Sequence, residues 1–327
     1  MKVNQMTHLA VLTSGGDAPG MNASLRAIVR SANNQEIKVY GVSNGFEGLI
    51  DDRLSELKPR QVGNIIQRGG SILQTSRSKR FLEKQHRNRA RENLSKRNIH
   101  SVIVIGGEGS LKGAKYLGEE GKINVLGLPA TIDRDIPLVG PTIGFDTAIN
   151  TALQAIDRIR DTASTSNAVH IIEVMGRACG WISLFAGIGG GAEAVISPEF
   201  PTNIKKLALQ IKEQRSSGKQ GCILIVSEGA CNSLGGEGLI KELNDVSSFD
   251  LRITKLGHIQ RGGNPSAVDR VLASRLGAGA VEGFLVGHNQ CVVAQPKDKL
   301  KMIPFDALSG KLNSEMQDYH KLIIKLA

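Results

Sequence analysis

A recurring unit limits how this chain can fold: a short apolar run, then a turn rich in glycine or acid, then residues at helical spacing. Residues 9–13 run into Ser14-Gly15-Gly16-Asp17-Ala18-Pro19-Gly20 and a helical pattern over 21–32. Residues 101–105 are followed by Gly106-Gly107-Glu108-Gly109-Ser110 and a helix over 111–118. Residues 125–128 lead into Pro129-Ala130-Thr131-Ile132-Asp133-Arg134-Asp135, and a long helix follows over 145–163. Residues 170–174 end at Met175-Gly176-Arg177, and residues 222–226 at Ser227-Glu228-Gly229. Strands separated by helical stretches in this way build parallel sheets with crossover helices. The fold class is therefore α/β, with parallel-rich sheets flanked by helices. At 327 residues there is room for two such sheets, because a single core seldom grows past about 250–300 residues.

The remaining segments fit between these units. A strand is expected over 38–42, a short helix over 61–66, a strand over 71–75 and a basic helix over 83–97. The glycine-dense stretch 187–191 turns the chain into 194–196, and a helix over 204–214 follows. Residues 230–248, rich in Gly, Asn and Ser, read as irregular. Residues 251–256 lead to Gly257-His258-Ile259-Gln260-Arg261-Gly262-Gly263-Asn264-Pro265, then a helix over 267–281. A short strand and an amphipathic helix occupy 299–327.

Composition narrows the partners. The 38 glycines and 4% aromatics favour tight turns over a β-sandwich, and a net charge of +10 favours anionic ligands, either nucleic acid or phosphorylated metabolites. Nucleic acid rests on charge alone, because aromatic interleaving is missing. Within 77–97, nine Lys or Arg face two Glu, which suits a solvated helix face or a phosphate-facing one. Cys179, Cys222, Cys231 and Cys291 lack C-x-x-C spacing, so a reduced, cytoplasmic setting without structural zinc is expected. No signal peptide and no membrane-length apolar run is apparent.

Acids that follow buried strands stand where α/β sheets bind ligands. An isolated Asp-x-Asp such as Asp133 and Asp135 also suits a plain polar turn. The turns together offer Glu108, Asp133, Asp135 and Glu228 as carboxylates, and Arg77, Arg177, Arg252, Arg261 and His258 as cationic or proton-carrying groups. Glycine loops lie at 15–16 and 106–109. This is an inventory for phosphoryl transfer, in which carboxylates hold Mg²⁺ and accept a hydroxyl proton while arginines and amides neutralise phosphoryl oxygens. Gly107, Gly109 and Gly113 miss the dinucleotide fingerprint by one position, and neither a Walker loop nor the protein-kinase motifs occur.

At three places, in order, the chain resembles the ATP-dependent 6-phosphofructokinase family of bacterial type. They are Thr13-Ser14-Gly15-Gly16-Asp17-Ala18-Pro19-Gly20-Met21-Asn22, Met175-Gly176-Arg177 and Leu256-Gly257-His258-Ile259-Gln260-Arg261-Gly262-Gly263. The resemblance implies a two-domain subunit, usually in a homotetramer, that takes ATP with Mg²⁺ and fructose 6-phosphate. A nucleotide-binding domain over 1–144 and 258–308 and a sugar-phosphate-binding domain over 145–257 and 309–327 follow from it. By position, Asp133 would be the base, and Thr131, Arg77 and Arg177 would contact the transferring group. Gly16, Gly107, Gly109 and Ser110 would line the ATP phosphates, and Glu108 and Asp135 would serve the metal. Met175, Gly176, Glu228, His258 and Arg261 would surround the sugar phosphate, with Arg252 reaching that of a neighbouring subunit. Arg26, Arg30 and Arg160 match effector positions, or are solvated helix arginines.

Four departures from the family cluster at the chemistry: Glu108 stands for Asp, Ala130 for Gly, Arg134 for Asn, and Asn167-Ala168 where the family has an arginine. Arg134 would place a cation beside Asp133 if it points inward. These changes keep open a weakened or degenerate paralogue that regulates an active partner, and a kinase of a related sugar phosphate. Family members that use pyrophosphate tend to carry Asp where Gly109 stands and Lys where Ala130 stands, filling the space of the nucleotide's α-phosphate, so the resemblance implies ATP over pyrophosphate, while Gly180-Trp181 resembles the pyrophosphate branch.

Overall fold

The computed structural model describes residues 7–219, 221–308 and 315–326. The chain divides into two compact units: Met1–Thr131, Asp135–Asp146 and Arg261–Lys311 form the first, and Ile132–Arg134, Thr147–Gln260 and Leu312–Ala327 the second. The strand-to-helix turn after residue 129 thus contributes its centre, Ile132–Arg134, to one unit and its flanks to the other.

The first unit opens with β1 (His8–Ser14), α1 (Met21–Asn33), β2 (Lys38–Val42), α2 (Gly45–Ile50) and β3 (Leu54–Glu56). It continues through α3 (Lys84–Ser95), β4 (Ser101–Gly106), α4 (Glu108–Glu119) and β5 (Asn124–Pro129). After the second unit it closes with α10 (Ala267–Leu285), β10 (Cys291–Ala294) and β11 (Lys301–Pro304). The second unit runs α5 (Phe145–Ala163), β6 (Val169–Val174), α6 (Trp181–Gly189), β7 (Ala194–Ile196), α7 (Ile204–Ser216) and β8 (Cys222–Ser227). Then come the distorted turn α8 (Ala230–Ser233), α9 (Gly235–Asn244), β9 (Leu251–Lys255) and, at the chain's end, α11 (Glu315–Leu326).

Seven strands of the first unit lie in the order β11-β10-β5-β4-β1-β2-β3. β1, β2, β4, β5 and β10 are mutually parallel, and the edge strands β3 and β11 pair antiparallel. From β1 the chain proceeds to β2 on one side and later returns to place β4 on the other, so the β1/β4 boundary is where the strand order reverses. The second sheet, β7-β8-β6-β9, is wholly parallel. β4 and β8 are buried along their whole length, as continuous apolar strands covered on both faces must be. Each unit has its own core. Leu12, Val102, Val104, Leu111 and Phe46 belong to the first, and Val169, Ile171, Leu224, Val226 and Leu239 to the second.

Three local expectations fail. Residues 61–66 and 71–75 form neither helix nor strand. Tertiary bonds hold that segment instead: Asn22 donates to the carbonyls of Arg68 and Gly69 and accepts from the Ile72 amide, and Thr13 Oγ1 donates to the Gln74 carbonyl. The stretch read as irregular contains α9, whose glycines weaken helical propensity. One of them serves packing, because a Cβ at Gly236 would come within 2.4 Å of Ile253 Cδ1 on β9. The helices α2 and α6 also escape a periodicity reading, being short and rich in glycine.

Candidate active site

At the carboxyl ends of the first sheet the glycine loops come together. Ser14 and Gly106 are register partners across β1 and β4, and a Cβ at Gly15 would meet Ser110 Oγ at 3.0 Å. The loops carrying Gly16, Gly107, Gly109 and Ser110 are therefore neighbours at the reversal point of the strand order, where open α/β sheets bind ligands. α4 begins at Glu108, so its first-turn amides add an anion-favouring helix N-terminus. Arg261 lies against Gly16: a Cβ there would approach its Nη1 to 2.7 Å, and Nη1 donates to the Asp17 carbonyl at 3.2 Å. Arg77 is exposed and follows Ser76, whose carbonyl accepts the Gly15 amide at 3.2 Å. Thr131 is buried, with its carbonyl bonded to Thr142 Oγ1 at 2.7 Å.

The turns after β6 and β8 form the corresponding end of the second sheet. Glu228 Oε1 accepts from the amides of Gly176 at 3.2 Å and Arg177 at 2.7 Å, and the Glu228 amide bonds to the Val174 carbonyl. Gly176 and Arg177 both take left-handed backbone angles, φ 139° and 54°. A side chain at Gly229 would collide with the Arg177 carbonyl at 2.0 Å, so glycine is needed there. Gln260 is fully buried and accepts the Met175 amide at 2.8 Å. Met175 is buried as well.

This braced turn presents Arg177 to Asp133. Nε lies 3.4 Å from Oδ2, with the Asp133 side chain 1% and the Arg177 side chain 53% exposed. An Arg has five donors, so this contact leaves its terminal nitrogens available to a phosphoryl group.

Arg134 points elsewhere. Its guanidinium carbon lies 4.4 Å from the Trp181 ring centroid and 5.6 Å from that of Phe185, with Glu315 Oε2 3.9 Å from Nη2. Burial lowers its pKa from the ordinary value, opposed by Glu315. The inward-pointing alternative is thus replaced by a stack on an aromatic face. Arg134 has φ 51°, a conformation that suits Asn and costs a longer side chain roughly 1–2 kcal/mol. A desolvated cation–π contact is worth about 2 kcal/mol and offsets that cost.

Other expected residues have visible structural partners. Glu108 forms an ion pair with Lys112 at 2.6 Å on the exposed face of α4. It nonetheless follows β4 as Asp135 follows β5, and those strands are adjacent, with Gly106 opposite Pro129. Two hard carboxylates beside a phosphate loop fit Mg²⁺, which binds through one or two carboxylates plus substrate phosphates. Arg252 is exposed and pairs with Asp250 at 3.0 Å, while His258 is exposed. Arg160 caps the end of α6 by donating to the carbonyls of Gly190 and Gly191 at 2.5 and 2.7 Å. On α1, Arg30 is exposed and Arg26 partly so.

Four arginines of the basic run make structural ion pairs, Arg80 with Asp51, Arg87 and Arg91 with Glu120, and Arg97 with Asp52. Burial pushes the Cys222 thiol up to about 12 and that of Cys231 to about 11, which disfavours both as nucleophiles at neutral pH. No helix among the described residues is long and apolar enough to cross a membrane.

Thr13, Asn22, Gln260 and Trp181 are the supporting residues that motif reading left without a role. The first three sit inside the quoted signatures, and their uninterrupted length was the available signal. Trp181 adjoins Met175-Gly176-Arg177, but its partner Arg134 is remote in sequence.

Adjacent glycine loops at the strand ends of one sheet, and in the second unit a buried acid tethered to an arginine, are features that suit the binding of phosphate groups. Residues 8–284 match the family described as Phosphofructokinase. The chain is 46% identical over 321 residues to the ATP-dependent 6-phosphofructokinase of Staphylococcus epidermidis, covering 97% of this chain and 99% of that one. It is 44% identical over 317 residues to the enzyme of the same description from Natranaerobius thermophilus, covering 97% and 98%. Among solved structures, Pichia pastoris phosphofructokinase superposes with a TM-score of 0.89 at 30% identity over 98% of this chain. The chain spans only 39% of the length of that yeast protein. The chain belongs to the phosphofructokinase family.

Proposed function

We propose that this chain is an ATP-dependent 6-phosphofructokinase, transferring the γ-phosphoryl group of ATP to the 1-hydroxyl of fructose 6-phosphate. The observation that carries the reading is the buried Asp133 carboxylate tethered to the half-exposed Arg177. Asp133 accepts the proton of the attacking hydroxyl at Oδ1 or Oδ2, the attacking oxygen joins phosphorus, and ADP leaves. Arg177 and Arg77 neutralise the transferring group, and a guanidinium fork suits that task better than an ammonium. The loops at Gly16, Gly107, Gly109 and Ser110 offer backbone amides to the donor phosphates. Glu108 and Asp135 are the residues that would hold Mg²⁺, which supplies charge neutralisation at the donor phosphates. The Met175-Gly176-Arg177 turn, braced by Glu228, receives the sugar phosphate, and exposed Arg252 serves a neighbouring subunit of a homotetramer. The nucleotide thus belongs to the first unit and the sugar phosphate to the second.

ATP is favoured as donor because a Cβ at Gly109 would meet nothing within 4 Å, so space remains at that position of the glycine loop. A coupled assay with fructose 6-phosphate and either ATP or pyrophosphate tests this. Turnover with ATP is expected. No turnover with either donor by folded, ATP-binding protein would refute the enzyme reading, and turnover with pyrophosphate alone would refute the donor.

A further inference from the structure

We propose that Arg134 is a positioning residue for Asp133: its stack on Trp181 fixes the backbone that aims the carboxylate. The inference rests on the reading of Asp133 as base. Successive residues of one short segment are gripped from neighbouring places in the second unit, Asp133 by Arg177 in the turn after β6 and Arg134 by Trp181 at the start of α6. The two grips differ in kind. Arg177 is half exposed and belongs to the groups that meet the phosphoryl, so its attention is divided between base and substrate. The Trp181 platform is fixed. That ring is 1% exposed and packs edge-on against Phe185 at 5.9 Å and Tyr319 at 5.8 Å, which joins α6 to α11.

Arg134 closes over this platform from a left-handed backbone position, φ 51°. That conformation is costly for a long side chain, which lacks the local hydrogen bond that Asn offers, and the stack on Trp181 offsets the cost. Whatever Arg177 does with its terminal nitrogens, the Arg134 stack holds the chain at Asp133 independently of it. Glu315, 3.9 Å from Nη2, closes the outer side of the stack.

The experiment measures kcat, KM for both substrates and Tm for Arg134→Met, Arg134→Lys, Trp181→Leu, Trp181→Phe and the double variant Arg134→Met/Trp181→Leu. The Met and Leu variants should each lose about tenfold in kcat with KM values held within about twofold, the mark of a misplaced reacting group. The double variant should be no worse than either single one, because both remove the same contact. Lys and Phe, which keep a cation and a ring, should recover most of the loss. A wild-type kcat in Arg134→Met with a lowered Tm, or single effects that multiply, would overturn the inference. Should Trp181→Leu fail to fold, Arg134→Met against Arg134→Lys decides by the same criteria. Absence of turnover in the wild-type chain overturns both this inference and the phosphofructokinase reading. Wild-type turnover with an unaffected Arg134→Met overturns this inference alone.

Discussion

Asp133 and Arg177 form an ion pair of unequal exposure, 3.4 Å from Oδ2 to Nε, in which the acid is buried and the guanidinium half open to solvent. In the proposed function the acid meets a bound hydroxyl shielded from bulk water, and the arginine's exposed end faces the phosphoryl group. Replacing Asp133 by Asn keeps shape and polarity and removes the proton acceptor. The variant should lose about 10²–10⁴-fold in kcat, with KM for fructose 6-phosphate near the wild-type value. Steady-state kinetics check this, and a kcat within tenfold of wild type would remove Asp133 from the role.

Glu228 acts on that pair from behind, because one carboxylate oxygen takes both the Gly176 and the Arg177 amide. A hydrogen bond to a charged group contributes about 1.5–3 kcal/mol, so Glu228→Ala, which frees both amides of a strained turn, should cost at least about 10–100-fold in kcat/KM for the sugar phosphate. Glu228→Gln retains a neutral acceptor and should fall between. Equal kinetics for all three proteins would show that the turn keeps its shape unaided.

How far the sequence discloses this site depends on the range of the interaction. Asp133, Arg177 and the glycine loops are legible because each follows an apolar strand, and parallel sheets bring strand ends to one edge. The long helix 145–163 and the strand 38–42 are legible with their bounds, since period and buried face agree. The direction of Arg134 is not, because its platform is assembled from α6 and α11, far away along the chain. The strand expected over 71–75 is misread for a related reason: its apolar residues suit a strand, but Asn22 and Thr13 bond the backbone there from outside, at Ile72 and Gln74. Glycine in α9 gives the opposite error, since low intrinsic propensity is overridden by close packing on β9.

The basic run contains a pH-dependent stabilisation. Glu120 is held down to about 2 from an ordinary value of 4.5, first by the hydrogen bond from Arg87 and then by that from Arg91. A carboxylate whose pKa is depressed by folding contributes its full stability above the unfolded value and loses it as pH falls toward the folded one. Glu120→Gln should therefore cost about 2 kcal/mol at pH 7, with the gap narrowing between about pH 4.5 and 2. Urea unfolding at a series of pH values measures it. A gap that does not change with pH would mean that packing of the side chain, not its charge, is responsible.

Gly109 tests the donor. A Cβ there meets no atom within 4 Å, and the position lies in the first turn of α4, where a carboxylate is favoured by the helix N-terminus. Gly109→Asp should accordingly fold with a Tm close to wild type. The same carboxylate would stand beside the loop proposed to receive the donor phosphates, so like-charge repulsion should reduce kcat/KM for ATP by about 100-fold, nearly 3 kcal/mol. KM for fructose 6-phosphate, which the proposed function assigns to the Met175-Gly176-Arg177 turn, should change little. If ATP kinetics survive this substitution, the open space beside Gly109 is not where the nucleotide phosphates lie.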